Sequence, residues 1–278
     1  MRSALLRAAA SAVAAAVVAP LSASAAQAAP PDRPRHSTVG ESTPAGSEQA
    51  ASWGQIIEAV GTAYSIYKKY SDDGGMTLEE ATTQILGAID GAKSEIIAHI
   101  DAVAVAEIRA CAKTAVLNYA DIGSMSPDTK QAFALSTTSC AVRAETLIGT
   151  VSDQAAIDQL GFAMNAVGPV ALMARTHAGF STAELAATLV DGSEATMERL
   201  ATDCTFDWQV DDNPNHYYIV YITCTAYNGD KGHTTVWRRW VSGPEPTIPS
   251  QLYASAVEDA LVNTSYELAK TARQVLLS

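Results

Sequence analysis

The stretch CTFDWQVDDNPNHYYIVYITC, residues 204–224, decides how the last third of this chain folds. Its two arms are rich in aromatic and β-branched residues, which favour β-strands. The arms meet at Asp211-Asp212-Asn213-Pro214-Asn215, a run of residues typical of turns. Pro214 is the midpoint between Cys204 and Cys224, so a hairpin that folds there brings the two thiols together. The stretch therefore predicts a disulfide-linked β-hairpin.

This disulfide would also fix the register of the hairpin, because only one alignment places the two cysteines opposite each other. The predicted opposite pairs are Phe206 with Ile222, Trp208 with Val220, and Val210 with Tyr218. A third strand is expected near 233–241, after the turn Asn228-Gly229-Asp230. Alternation along a strand then predicts one face with Cys204, Phe206, Trp208, Val220 and Ile222, which we expect to pack on the helical part of the chain.

The opposite face of the predicted sheet, here called the aromatic face, carries the candidate ligand-binding residues: Tyr217, Tyr221, Trp237 and Arg239. Tyr and Trp offer large, rigid contact area with a polar group, and Arg stacks on aromatic rings. Such a face binds a glycan, a peptide or another protein. The alternative is that the C-terminal helix covers it.

The other two cysteines, Cys111 and Cys140, predict a second disulfide by the same symmetry. Their midpoint falls in Gly123-Ser124-Met125-Ser126-Pro127, a break between two segments with helical patterns. Two antiparallel helices joined there would bring the thiols to the same height. No Cys-x-x-Cys motif or Cys/His cluster is present, so we expect neither a metal site nor a cofactor.

Residues 52–202 have the apolar spacing of an antiparallel helical bundle. A capping box, Thr77-x-x-Glu80, opens a helix that we expect to continue for about 40 residues. A second box, Ser181-x-x-Glu184, opens another helix, which Gly192-Ser193 is expected to divide. Residues 203–278 are predicted to form the sheet plus one closing helix from about 250 to 277, packed on the bundle. The fold class is α+β, mainly α: a helical bundle, a three-stranded antiparallel meander and a C-terminal helix.

The N-terminus indicates export. Arg2 and Arg7 precede an apolar run, and Ala26-Gln27-Ala28 resembles a cleavage site, so residues 1–28 are interpreted as a secretory signal peptide. Residues 29–51, rich in Pro, Ser and Ala, are interpreted as a disordered leader. We therefore expect a secreted, extracellular protein, a setting in which disulfides persist.

The charge restricts the partners. A formal net charge of −12 and a pI near 4.8 disfavour binding to the nucleic-acid backbone. The main hypothesis is a non-enzymatic binding protein with an unknown extracellular ligand. One alternative is a membrane-active helical protein, because Leu160 to Ala174 carries Asn165 as its single polar side chain.

The other alternative is a secreted hydrolase without a recognisable motif. The chain has no Gly-x-Ser-x-Gly and no His-Glu-x-x-His motif, and no catalytic residue is assigned. The histidines that such a site would draw on are His99, His177, His216 and His233, with His99 expected beside Glu95 one helical turn earlier.

Overall fold

The computed structural model describes residues 45–210, 217–239 and 247–278. The signal peptide, most of the proposed leader, the turn around Pro214 and His216 lie outside the described residues. The predicted fold class is confirmed: most of the chain is helical, and one three-stranded antiparallel sheet follows the bundle. The helices are α1 (Ala45–Asp73), α2 (Leu78–Gly91), α3 (Lys93–Asp101), α4 (Ala106–Asn118), α5 (Pro127–Thr150), α6 (Gln154–His177), α7 (Ala183–Arg199), α8 (Ala254–Leu261) and α9 (Ser265–Leu277). The strands are β1 (Asp203–Val210), β2 (Tyr217–Thr225) and β3 (Lys231–Arg239).

Helix α6 lies at the centre of the bundle and contacts α1, α3, α4, α5, α7 and α9. Its residues 160–174 are all buried, as expected for a helix that is apolar on every side. Asn165 is satisfied inside this core: its Oδ1 accepts hydrogen bonds from the Tyr64 and Ser193 hydroxyls, and its Nδ2 donates to the Gly161 carbonyl. Within the described part of the chain, no helix has the length and hydrophobicity needed to cross a bilayer.

Both predicted disulfides are present. Cys111 on α4 is bonded to Cys140 on α5, and Cys204 on β1 is bonded to Cys224 on β2. The predicted β1–β2 register is confirmed at all three pairs: Phe206 with Ile222, Trp208 with Val220, and Val210 with Tyr218. The cysteine spacing therefore predicted the hairpin correctly.

The prediction of one long helix from Thr77 to about residue 119 is wrong. The capping box at Thr77 and Glu80 does form, but the chain then makes three helices, α2, α3 and α4. A neighbouring helix stabilises the link between α3 and α4: the Gln159 side chain on α6 accepts a hydrogen bond from the backbone N–H of Ala104. Contact with a neighbouring helix thus stabilises the break.

The prediction for α7 also needs correction. Gly192 does not divide the helix, which is continuous from Ala183 to Arg199. A Cβ at position 192 would lie 2.4 Å from the Met164 sulfur, so glycine allows α7 to pack closely on α6. The second capping box is absent: Thr182 is the N-cap residue, and its side chain makes no capping hydrogen bond.

The closing segment forms two helices where one was predicted. Helix α8 ends at Leu261, and α9 begins at Ser265 after Thr264, whose hydroxyl accepts a hydrogen bond from the Tyr266 N–H. The two helices have different roles. Helix α8 packs on β2 and β3, whereas α9 packs on α1, α6 and α7.

Candidate functional site

Helix α8 covers one face of the sheet, which we call the inner face. Gly232 is opposite Cys224 in the register and lies on this face. A Cβ on Gly232 would lie 1.9 Å from the Ala256 carbonyl oxygen and 2.9 Å from the Ala260 nitrogen. The backbones of β3 and α8 therefore approach each other directly. Val220, Ile222, Cys224 and Val236 are buried on this face.

This arrangement corrects two expectations. The inner face carries the residues that were predicted to face the bundle, but α8 of the C-terminal segment packs on it. Because α8 packs on the inner face, α8 does not cover the aromatic face, as the alternative interpretation of the C-terminal helix required. Phe206 adds to the inner layer through an edge-to-face contact with Tyr253, at 5.6 Å between ring centroids.

The aromatic face is open in the part that the structure describes. Trp237 is 59% exposed and Tyr221 is 43% exposed, although large aromatic side chains are usually mostly buried. The polar residues around them on the same face are also exposed: Asp207, Gln209, His233 and Thr235. This face is a candidate binding surface.

The register arranges the aromatic face in rows across the three strands. One row is Asp207, Tyr221 and Thr235, and the next row is Gln209, Ile219 and Trp237. Tyr221 and Trp237 are diagonal neighbours on adjacent strands, a relation that places residues roughly 7–8 Å apart. One ligand can therefore contact both rings and the carboxylate, amide and hydroxyl groups beside them.

The other two candidate residues, Tyr217 and Arg239, are opposite each other in the register, one row beyond Trp237. Their side chains lie outside what the structure describes. On the far side of Tyr221, His233 Nδ1 and Thr223 Oγ1 share a hydrogen bond of 3.0 Å. The register therefore places Tyr221 and Trp237 on one face, as the alternation predicted, and both side chains are exposed.

The described histidines lie in separate environments. His99 Nδ1 bonds the backbone carbonyl of Glu95 at 3.0 Å, so the expected pairing with the Glu95 carboxylate is replaced by a backbone contact. His177 Nε2 lies 2.7 Å from Thr82 Oγ1, and burial followed by the charge of Lys130 lowers its pKa. His233 bonds Thr223 on the sheet. Among the described residues, no group of three or more His, Cys, Asp or Glu side chains is placed to hold a metal ion.

Sequence reasoning missed a buried carboxylate, Asp158 on α6. Its Oδ2 accepts a hydrogen bond from the Tyr227 hydroxyl at 2.6 Å, and its Oδ1 accepts one from the Ser265 N–H at 2.5 Å. These bonds join α6, the β2–β3 turn and the start of α9. Burial raises the pKa of Asp158 against the lowering effect of these hydrogen bonds. The available signal was an acidic residue just before the apolar run of α6, but its partners are 69 and 107 residues away.

Comparisons with protein-family models, with curated proteins and with solved structures found no match to this chain.

Proposed function

We propose that this protein is a secreted, non-enzymatic binding protein that recognises a carbohydrate through its aromatic face. One observation carries the proposal: Tyr221 and Trp237 are exposed side by side on the sheet face opposite α8. The two disulfides support an oxidising, extracellular setting.

The chemistry of the aromatic face favours a sugar over a protein partner. The flat C–H faces of a sugar ring stack on aromatic rings, while its hydroxyl groups need hydrogen-bond partners. Asp207 and Thr235 flank Tyr221 in its row, and Gln209 lies in the row of Trp237. The centres of protein–protein interfaces are instead depleted of charged side chains. A polyhydroxylated ligand can stack on the two aromatic rings and form hydrogen bonds with the polar side chains beside them.

The support of the aromatic face favours binding with little rearrangement. The cross-strand disulfide links β1 to β2, and the inner face is held against α8 by buried apolar side chains. The two rings are therefore attached to a braced sheet, which lowers the entropy lost when a ligand binds.

The test is a binding series with soluble oligosaccharides of glucose and of N-acetylglucosamine, followed by tryptophan fluorescence and calorimetry. We expect a shift in tryptophan emission on binding. Trp237→Ala should weaken affinity at least about tenfold, equivalent to about 1.4 kcal/mol, and Tyr221→Ala should weaken it as well. Leu135→Ala is the matched control, because Leu135 is 56% exposed on α5, far from the aromatic face in the sequence.

Two outcomes would count against the proposal. One is that the Trp237→Ala protein binds as tightly as the unaltered chain. The other is that the folded, disulfide-bonded protein binds none of these sugars at millimolar concentration.

A further inference from the structure

A second site lies apart from the aromatic face, in a cavity of about 210 Å³. Five parts of the chain converge on it: α1, α3 with the residue that follows it, α6, the β2–β3 turn and the link between α8 and α9. The Asp158 carboxylate lines this cavity. A buried carboxylate at the meeting point of five segments indicates a shaped site, since a charge is costly to bury without compensation.

The Asp158 carboxylate is held by hydrogen bonds within the protein, not by a lysine or arginine of the cavity lining. It is 8% exposed, and each of its oxygens accepts one hydrogen bond, from the Tyr227 hydroxyl and from the Ser265 N–H. The Ser265 hydroxyl also acts on this carboxylate and lowers its pKa. Among the described residues that line the cavity, no lysine or arginine neutralises the charge of the ionised carboxylate.

Aromatic rings form much of the wall. Trp53 packs edge-on against His99 at 4.8 Å and against Phe162 at 5.7 Å between ring centroids. Tyr227 lines the same cavity from the β2–β3 turn. The faces of aromatic rings carry negative electrostatic potential and attract cations.

The surrounding charge also favours a cation. The charges of Asp158, Asp153 and Asp230 add to burial in raising the pKa of the Tyr227 hydroxyl. Among the described residues that line the cavity, His99 is the single basic group, and neither Lys nor Arg is present. Asp230 itself accepts hydrogen bonds from the amides of Asn228 and Asn263, which also line the cavity.

We propose that this cavity binds a small organic cation, an ammonium group carrying alkyl substituents. The alkyl groups would contact Trp53 and Tyr227, and the positive nitrogen would lie near the Asp158 carboxylate. A volume of about 210 Å³ lies below the range of pockets that hold drug-sized ligands, so the cavity suits a small ligand. A bare metal ion would leave the aromatic wall unused.

The experiment compares two probes of nearly equal shape by calorimetry: choline and its uncharged analogue 3,3-dimethyl-1-butanol. We expect choline to bind at least tenfold more tightly than the analogue. In Asp158→Asn this preference should fall several-fold, because the amide carries no charge. The amide oxygen can still accept from the Ser265 N–H, and the amide nitrogen can donate to the Tyr227 oxygen. Equal binding of the two probes, an unchanged preference in Asp158→Asn, or no binding of choline at 50 mM would overturn the proposal.

A matched pair of variants separates the aromatic ring from the hydrogen bond. Tyr227→Phe and Tyr227→Leu both remove the hydroxyl that bonds Asp158, but Phe keeps the ring. We expect Tyr227→Phe to retain choline binding within about threefold and Tyr227→Leu to lose at least fivefold. Circular dichroism of both variants reports whether they fold. Equal loss in two folded variants would contradict the role of the ring.

Discussion

Replacing Gly232 with alanine tests the arrangement that leaves the aromatic face open. The new Cβ would lie 1.9 Å from the Ala256 carbonyl oxygen, whereas real Cβ contacts are essentially never under 3.0 Å. The obstacle is backbone on both sides, so no side chain can rotate away. Strand β3 and helix α8 must therefore separate by about 1 Å.

The cost of this separation follows from what the contact buries. Val220 and Ile222 are fully buried on the inner face, and burying such a side chain contributes about 1.5–3 kcal/mol. A gap of up to about 1 Å loses a quarter to a half of the attraction between packed atoms. The expected loss is about 1–3 kcal/mol in the free energy of unfolding, within the usual range for overpacking.

The assay is equilibrium unfolding in urea followed by circular dichroism, with both disulfides intact. Gly87→Ala is the matched control, because a Cβ at Gly87 on α2 meets no atom within 4 Å. Alanine inside an exposed helix is better than glycine by about 0.5–1 kcal/mol, so this control should stabilise the protein. The reasoning is refuted if Gly232→Ala is as stable as the unaltered chain, or if the two substitutions change stability in the same direction.

The remaining predictions concern the disulfides and two titrating groups. Replacing both Cys204 and Cys224 with serine should lower the free energy of unfolding in urea by about 3 kcal/mol. Replacing Cys111 and Cys140 should lower it slightly more, because that disulfide closes a loop of 29 residues and the first closes one of 20. Unchanged unfolding midpoints would contradict both expectations. Because burial raises the pKa of Asp158 above its ordinary value of 3.8, its contribution to stability is lost as pH rises through the folded-state pKa. Asp158→Asn should therefore gain stability relative to the unaltered chain as pH rises from 4 to 7, and a constant difference would argue against it. The lowered pKa of His177 predicts the opposite sign, because the free energy of unfolding then decreases as pH falls below about 6.5. His177→Gln should reduce this decrease in unfolding measured from pH 7.5 to 5. Equal pH slopes for the variant and the unaltered chain would refute the prediction.

The helix boundaries show where sequence patterns stop being informative. The boxes at Thr77 and Ser181 have the same motif, yet only the first one forms. The apolar spacing through α2, α3 and α4 is helical throughout. The helix nevertheless ends before Ala104, whose backbone N–H donates a hydrogen bond to Gln159 on α6. A local pattern reports local preference, and contacts between distant segments override it when they satisfy the backbone better.

The candidate sites divide in the same way. Tyr221 and Trp237 were predictable because strand alternation and the cysteine register together assign them to one face. The cavity around Asp158 was not predictable, because its walls come from five separate segments. The position of α8 was not predicted either, although Gly232 opposite Cys224 was a usable signal for close backbone approach.

The sequence by itself determined the pairing of the cysteines and the β1–β2 register, because two thiols equally far from a turn can meet in only one alignment. The tertiary structure alone decided which side of the sheet is covered. Gly232 permits close approach of the α8 backbone, and the apolar inner face gains burial from it. The opposite face, with Tyr221 and Trp237, is thereby left to solvent in the part of the chain that the structure describes.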